Sequence, residues 1–156
     1  MSQEIERKYL VKNGDFKKQS FKKINIVQGF LSSVPERTVR IRISEQKAFL
    51  TVKGIGNKSG ISRFEWEKGI SIKDAKSLIK LCEPGIISKI RYNVKSGNHI
   101  IEIDEFQENN KGLIIAEIEL KSESENFKKP SWLGQEVTGV VKYYNSMLSI
   151  KPFKTW

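Results

Sequence analysis

Charged residues of one sign recur two positions apart in this chain, each time around an apolar residue. The pairs are Glu4/Glu6 around Ile5, Arg40/Arg42 around Ile41 and Glu65/Glu67 around Trp66. Three more follow: Lys89/Arg91 around Ile90, Glu102/Asp104 around Ile103, and Glu117/Glu119 around Ile118. Side chains of a β-strand point to opposite faces with period two, so each segment sets a like-charged face against an apolar one. Like charges stacked on one face repel, and an ordinary exposed sheet would pair opposite signs there. With Lys8 and Lys53 the pattern commits eight acids and six bases to such faces. In a closed barrel these faces point all inward or all outward. The inward arrangement makes a hydrated, charged lumen that is tolerable when ligands are bound.

Strands are expected over Glu4–Val11, Asn25–Ser32, Thr38–Ser44, Ala48–Gly54, Ser62–Lys68, Ile87–Val94, His99–Phe106 and Leu113–Leu120. Each is rich in β-branched or aromatic residues, and most are bounded by turn formers. Gly54–Gly60, Lys95–Asn98 and Asn109–Gly112 read as connections between paired strands. Three helices are expected. The first, Asp15 to about Lys23, is short and basic. Ser71–Cys82 opens with Ser71 and Asp74 spaced as a capping box, carries Ile72, Ala75, Leu78, Ile79 and Cys82 as a stripe, and ends at Pro84-Gly85. The third, Thr138 to about Leu148, puts Val141, Tyr144 and Leu148 on one side. The fold class is mainly β: an eight-stranded antiparallel closed barrel with few flanking helices.

At 156 residues the chain is expected to be one domain spanning 1–156. No apolar run exceeds about four residues, against the roughly 20 that span a bilayer. The chain enters a charged strand at once, so a cytoplasmic location without a signal peptide is expected. One cysteine, Cys82, and one histidine, His99, rule out a disulfide framework and a cysteine or histidine metal site. A net charge of +10 favours polyanionic partners. The runs around Lys12–Lys23 and Lys121–Lys129 read as solvated surface.

The lumen has a definite chemistry. Clustered carboxylates are hard oxygen ligands suited to Mg²⁺ or Mn²⁺. Arginine and lysine give charge-assisted hydrogen bonds to phosphate oxygens. The two together describe a metal-bound polyphosphate, with the metal polarising the phosphoryl group and the bases positioning it.

The chain closely resembles the CYTH superfamily, the triphosphate tunnel metalloenzymes. Glu4-Ile5-Glu6-Arg7-Lys8-Tyr9-Leu10-Val11 looks like the defining ExExK strand. The likeness continues through Gln28-Gly29-Phe30-Leu31, Val39–Arg42, Thr51-Val52-Lys53, Ser62–Glu67, Lys89–Tyr92, Glu102–Phe106, Ala116–Glu119 and Trp132–Thr138. It is greatest to the compact bacterial branch that includes inorganic tripolyphosphatases. The resemblance implies an eight-stranded tunnel, with Glu4, Glu6, Asp104, Glu117 and Glu119 at metal-binding positions. Lys8, Arg40, Arg42, Lys53, Lys89 and Arg91 fall at triphosphate-binding positions, and Glu6 and Lys8 are the expected catalytic residues. Glu65, Glu67 and Glu102 are expected to line the tunnel. Phe30 stands where the related Gln-Gly-Tyr-Leu motif has a tyrosine proposed as proton acceptor. Phenylalanine cannot fill that role, so it is dispensable or absent here. Val141-Lys142-Tyr143 also replaces a more basic Lys-Arg-Tyr.

Three functions stay open at this point. The first is metal-dependent hydrolysis of a triphosphate, above all inorganic tripolyphosphate. The second is an adenylate cyclase or a nucleoside or thiamine triphosphatase, although no purine or ribose pocket is legible. The third is a non-enzymatic module binding polyphosphate or RNA, which the eight carboxylates disfavour. The expected partner is a small triphosphate or polyphosphate rather than a membrane or nucleic acid, and a homodimer is compatible with the sequence. Gly54-Ile55-Gly56-Asn57-Lys58-Ser59-Gly60 lacks the order of a phosphate-binding loop and precedes a strand, so it reads as a turn. Trp132 and Trp156 read as packing residues.

Overall fold

A computed structural model describes residues 3–156. Nine strands are formed: β1 (Gln3–Val11), β2 (Lys22–Ser32), β3 (Arg37–Ser44), β4 (Lys47–Gly54), β5 (Ser62–Ile70), β6 (Ile87–Ser96), β7 (His99–Phe106), β8 (Ile114–Glu119) and β9 (Leu133–Glu136). Helix α1 (Phe16–Gln19) lies between β1 and β2, α2 (Ile72–Ile79) between β5 and β6, and α3 (Asn145–Ile150) near the C-terminus. The sheet runs β5-β4-β3-β2-β6-β7-β8-β1-β9, and a further β5–β1 pairing closes its first eight strands into an antiparallel barrel. No described helix is long and apolar enough to cross a membrane.

The barrel closes on β1. Its first residues pair with β5, with Glu4 opposite Arg63. Its other edge pairs with β8, with Glu6 opposite Glu119 and Lys8 opposite Glu117. Its end leaves β5 and takes up β9, with Tyr9 opposite Glu136.

The charged faces turn inward, so the apolar core lies outside the barrel wall. On one flank Phe16 of α1 is fully buried and packs edge-on to Trp132 at 5.8 Å and Tyr92 at 5.3 Å. Val94, Ile101, Ile103 and Ile118 complete that cluster from the outer faces of β6, β7 and β8. On the other flank the stripe of α2 (Ile72, Ala75, Leu78 and Ile79) covers Ile41, Ile43 and Leu50. Each fully buried large side chain of this kind contributes roughly 1.5–3 kcal/mol. The outer clusters therefore hold the wall in shape around a lumen that repels itself. A third cluster (Phe30, Ile87, Phe106, Leu113, Ile115 and Leu148) seats α3 against the barrel.

The capping of α2 agrees with expectation, because the Ser71 hydroxyl accepts the Asp74 amide at 3.0 Å. Three elements differ. Helix α1 is four residues long, because Ser20 is already extended at ψ 139, and Lys22 and Lys23 belong to β2. The helix expected over Thr138–Leu148 is broken. Gly139 adopts φ +77, a 3₁₀ turn spans Val141–Tyr143, and α3 begins only at Asn145. Strand β9, not expected from the sequence, forms because Gly134 lets its backbone approach Leu10, where an added Cβ would lie 2.9 Å from the carbonyl oxygen.

Candidate active site

A cavity of about 220 Å³ runs inside the barrel. Of the charged positions named from the sequence, Glu4, Glu6, Lys8, Arg40, Arg42, Lys53, Glu65, Glu67, Lys89, Arg91, Glu102, Glu117 and Glu119 all line it. Asp104 is fully buried in the wall behind Lys89 and Arg91 and is not part of the lining. The alternation of each strand explains this convergence, since every second residue of a barrel strand faces the axis.

Three carboxylates meet at the β5–β1–β8 seam. One oxygen each from Glu4, Glu6 and Glu119 lies within 4.8 Å of the others. Two cations lean on this corner. Lys53 donates to both oxygens of Glu4 at 3.0 and 2.9 Å and lies 3.4 Å from Glu65, while Arg63 reaches Glu4 at 3.4 Å. Burial alone would raise the Glu4 carboxyl, but Lys53 and Arg63 outweigh it and bring its pKa down to about 2. Glu6 goes the other way. Enclosure within the barrel and the Glu117 and Glu4 charges push it well above the carboxylate range. Glu117 is held well below that range, because the Lys8, Arg91 and Lys89 charges overcome its burial. Within the Glu6–Glu117 pair, Glu6 is therefore the more basic carboxyl and Glu117 the more acidic. Glu119 is raised by partial burial and by the Glu102 and Glu4 charges. Three carboxyl groups so close together offer the hard oxygen ligands a divalent cation takes.

The opposite wall is basic. Asp104 accepts from Arg91 Nε at 2.7 Å and Nη2 at 2.9 Å, and its Oδ2 lies 2.8 Å from Lys89 Nζ. Burial would raise the Asp104 carboxyl, but the Arg91 and Lys89 charges hold it at about 2. Arg91 also reaches Glu102 at 3.2 Å. Lys89 and Gln28 donate to Asn145 Oδ1 at 2.9 and 2.7 Å, and Arg42 Nε donates to Gln28 Oε1 at 3.1 Å. Arg40 Nη2 donates to Thr51 Oγ1 at 3.1 Å. Several of these cations are not neutralised. Among the described residues Lys8 and Arg42 make no ion pair, and Arg40 Nε is buried without a hydrogen-bond partner. Burial, then the Arg40 and Arg91 charges, push Arg42 down to about 9. Lys89 falls to about 7, mainly through burial, with Arg91 and Arg42 adding to it. Arg40 Nη2 lies 3.7 Å from Glu67, so the donors of this wall that face no anion are those of Lys8 and Arg42 and the Nε of Arg40.

Sequence reasoning missed several lining residues. Arg63 shares the inward face with Glu65 and Glu67 at i, i+2 and could have been found from that spacing. Thr38 and Thr51 lie on the inward faces of β3 and β4. Tyr144, Asn145 and Ser146 line the cavity from the start of α3, and the Tyr144 ring stands 5.2 Å from Lys8 Nζ. No alternation announces these three. Lys142 faces outward onto Trp156 at 4.5 Å. Phe30 lines the cavity, with no hydroxyl to offer it.

An eight-stranded tunnel that sets a carboxylate corner against a wall of arginine and lysine defines a class of barrels with a charged lumen. The CYTH domain model matches residues 2–146, and the chain belongs to that family. An inorganic triphosphatase of Acetivibrio thermocellus is 42% identical over 100% of this chain and 99% of its own length. One from Nitrosomonas europaea is 32% identical over 94% of this chain and 97% of its own. The crystal structure of the inorganic triphosphatase NE1496 superposes with a TM-score of 0.67 at 28% identity, covering 94% of this chain and 97% of that one.

Proposed function

We propose that this protein hydrolyses inorganic tripolyphosphate to orthophosphate and pyrophosphate within the tunnel, using Mg²⁺ or Mn²⁺. The lumen cations carry this reading: Lys8 and Arg42 make no ion pair, the Nε of Arg40 has no hydrogen-bond partner, and all three converge on one cavity. A linear polyanion would satisfy them together, whereas a monovalent anion would leave most unspent. The curated relatives named inorganic triphosphatase support the same substrate.

On this reading Arg40, Arg42, Lys89 and Arg91 grip the phosphate chain through charge-assisted hydrogen bonds. Asp104 and Asn145 hold the Lys89 ammonium in place, and Asp104 also fixes the Arg91 fork. Lys8, beside the ionised Glu117, is free to hold a phosphoryl oxygen as charge develops there. Glu4, Glu6 and Glu119 would hold the divalent ion, with Glu117 nearby. When bound, the ion supplies charge neutralisation and polarisation of the phosphoryl oxygens. Lys53 and Arg63 limit repulsion in this corner by neutralising Glu4. Phe30 gives no proton acceptor, so proton transfer at that position is not part of the reaction.

The test is to incubate the protein with tripolyphosphate or ATP and Mg²⁺ or Mn²⁺ and measure orthophosphate, pyrophosphate and cyclic AMP. Phosphate release from tripolyphosphate that stops with a chelator and returns with either ion is expected. Cyclic AMP with pyrophosphate from ATP would replace this reading with a cyclase, and tight binding without turnover would replace it with a binding module.

A further inference from the structure

Asn145 is the first residue of α3, and its side chain lines the tunnel together with Lys89 and Phe30. The surrounding hydrogen bonds fix which way its amide is turned. Arg42 Nε, which can only donate, meets Gln28 Oε1 at 3.1 Å. Gln28 is wholly buried, and its Nε2 is thereby turned to Asn145, where it donates at 2.7 Å. Lys89 Nζ, also a pure donor, reaches the same Asn145 atom at 2.9 Å. Two donors meeting one atom make that atom the carbonyl oxygen. The reversed amide would set N–H against an ammonium and against a second N–H. The Nδ2 end of Asn145 is therefore the one left over. It makes no hydrogen bond among the described residues, and the buried side-chain atoms there that lack a partner are Arg40 Nε and Asn93 Oδ1 alone. Nδ2 is thus open to the cavity that Asn145 lines.

We propose that Asn145 is a substrate-binding residue whose Nδ2 donates a hydrogen bond to a phosphoryl oxygen at the α3 end of the tunnel. The proposal rests on the tunnel being a triphosphate site. A neutral donor suits this place. The Arg42 and Arg91 charges already press on Lys89, and a further lysine or arginine beside it would add to that repulsion. The amide instead takes up two donors of the wall on its oxygen and turns two N–H bonds of its own to the lumen.

Asn145→Asp separates this role from a purely structural one. The carboxylate keeps an oxygen for Lys89 and Gln28 but sets a second acceptor where the N–H bonds were. KM for tripolyphosphate with Mg²⁺ is expected to rise about tenfold or more, the size of a lost hydrogen bond to a charged group. Tm in a chelator is expected to stay unchanged or rise. An unaltered KM overturns the proposal. A Tm well below wild type overturns it too, because Nδ2 would then have been serving the wall. The added charge also acts at a distance, so the wild-type amide is followed directly by NMR. Its side-chain NH₂ resonances, assigned by their absence from Asn145→Asp, are expected to move as tripolyphosphate is titrated in a chelator. Resonances that stay in place while those of Arg42 and Arg91 move overturn the proposal. Wild type that neither binds nor cleaves tripolyphosphate overturns the tunnel reading itself.

Discussion

Replacing Asp104 by asparagine separates two roles that one carboxylate could play. The side chain is wholly buried and touches two buried cations, Lys89 at 2.8 Å and Arg91 at 2.7 and 2.9 Å. Removing one partner of such a cluster leaves uncompensated charge in the wall and costs about 3–5 kcal/mol. For a domain of this size each kcal/mol moves Tm by roughly 2–4 °C, so a fall of about 6–20 °C is expected. The assay is thermal unfolding in a chelator, with and without tripolyphosphate. The polyanion is expected to recover part of the loss, because it offers the freed cations a new counter-charge. The pH dependence has a definite sign. The folded pKa of about 2 lies below the ordinary 3.8, so the stabilisation is present above 3.8 and is lost as pH falls through about 2. The asparagine variant should lack that acid limb. A Tm within a degree or two of wild type, together with abolished metal-dependent turnover, would refute the counter-ion role and make Asp104 a metal ligand.

Glu6→Gln and Glu119→Gln are each expected to lower metal-dependent turnover at least about 100-fold. Because enclosure and the Glu117 and Glu4 charges disfavour an ionised Glu6, Glu6→Gln should leave Tm in a chelator unchanged or higher, and a large fall in Tm would contradict that shift. For the wild type, protons compete with metal at the raised Glu6 carboxyl, so apparent metal affinity is expected to tighten as pH rises; a flat titration by calorimetry would count against Glu6 as a ligand. Arg42→Ala removes a cation with no ion pair and should raise KM for tripolyphosphate by about tenfold or more, with little effect on Tm. An unaltered KM would place Arg42 outside the substrate path. Gly85→Ala puts a Cβ 1.9 Å from the Ser149 carbonyl oxygen at φ +96. It should destabilise the protein by at least about 1–2 kcal/mol and unseat α3, and a wild-type Tm would show that the helix can yield.

The barrel was legible because its strands repeat one device. A like-charged pair around an apolar residue fixes strand type and puts both charges on one face, and the apolar alternates covered by the helices turn that face inward. Placement of a side chain in the lumen therefore followed from Glu117/Glu119 or Arg40/Arg42 alone. Which charges neutralise one another did not, since that depends on cross-strand register. Arg91 stands opposite Asp104, a pairing invisible before the β6–β7 alignment is known. The end of the chain misled for a local reason. Val141, Tyr144 and Leu148 have helical spacing, yet the positive φ of Gly139 and the extended Tyr144 delay the helix to Asn145. Tyr144 and Asn145 thereby reach the tunnel from a segment whose sequence resembles an ordinary surface helix.

The seam at β1 bears on how the protein is made. β1 is synthesised before its partners β5, β8 and β9, and a long stretch of chain separates it from the last of them. Contacts between such distant segments form late, because loop closure must precede any gain from them. The Glu4–Glu6–Glu119 corner straddles this seam, so it does not exist in a nascent or partly folded chain. A divalent ion that binds there would act as a clasp on that closure, drawing β1 and β8 together and slowing their parting.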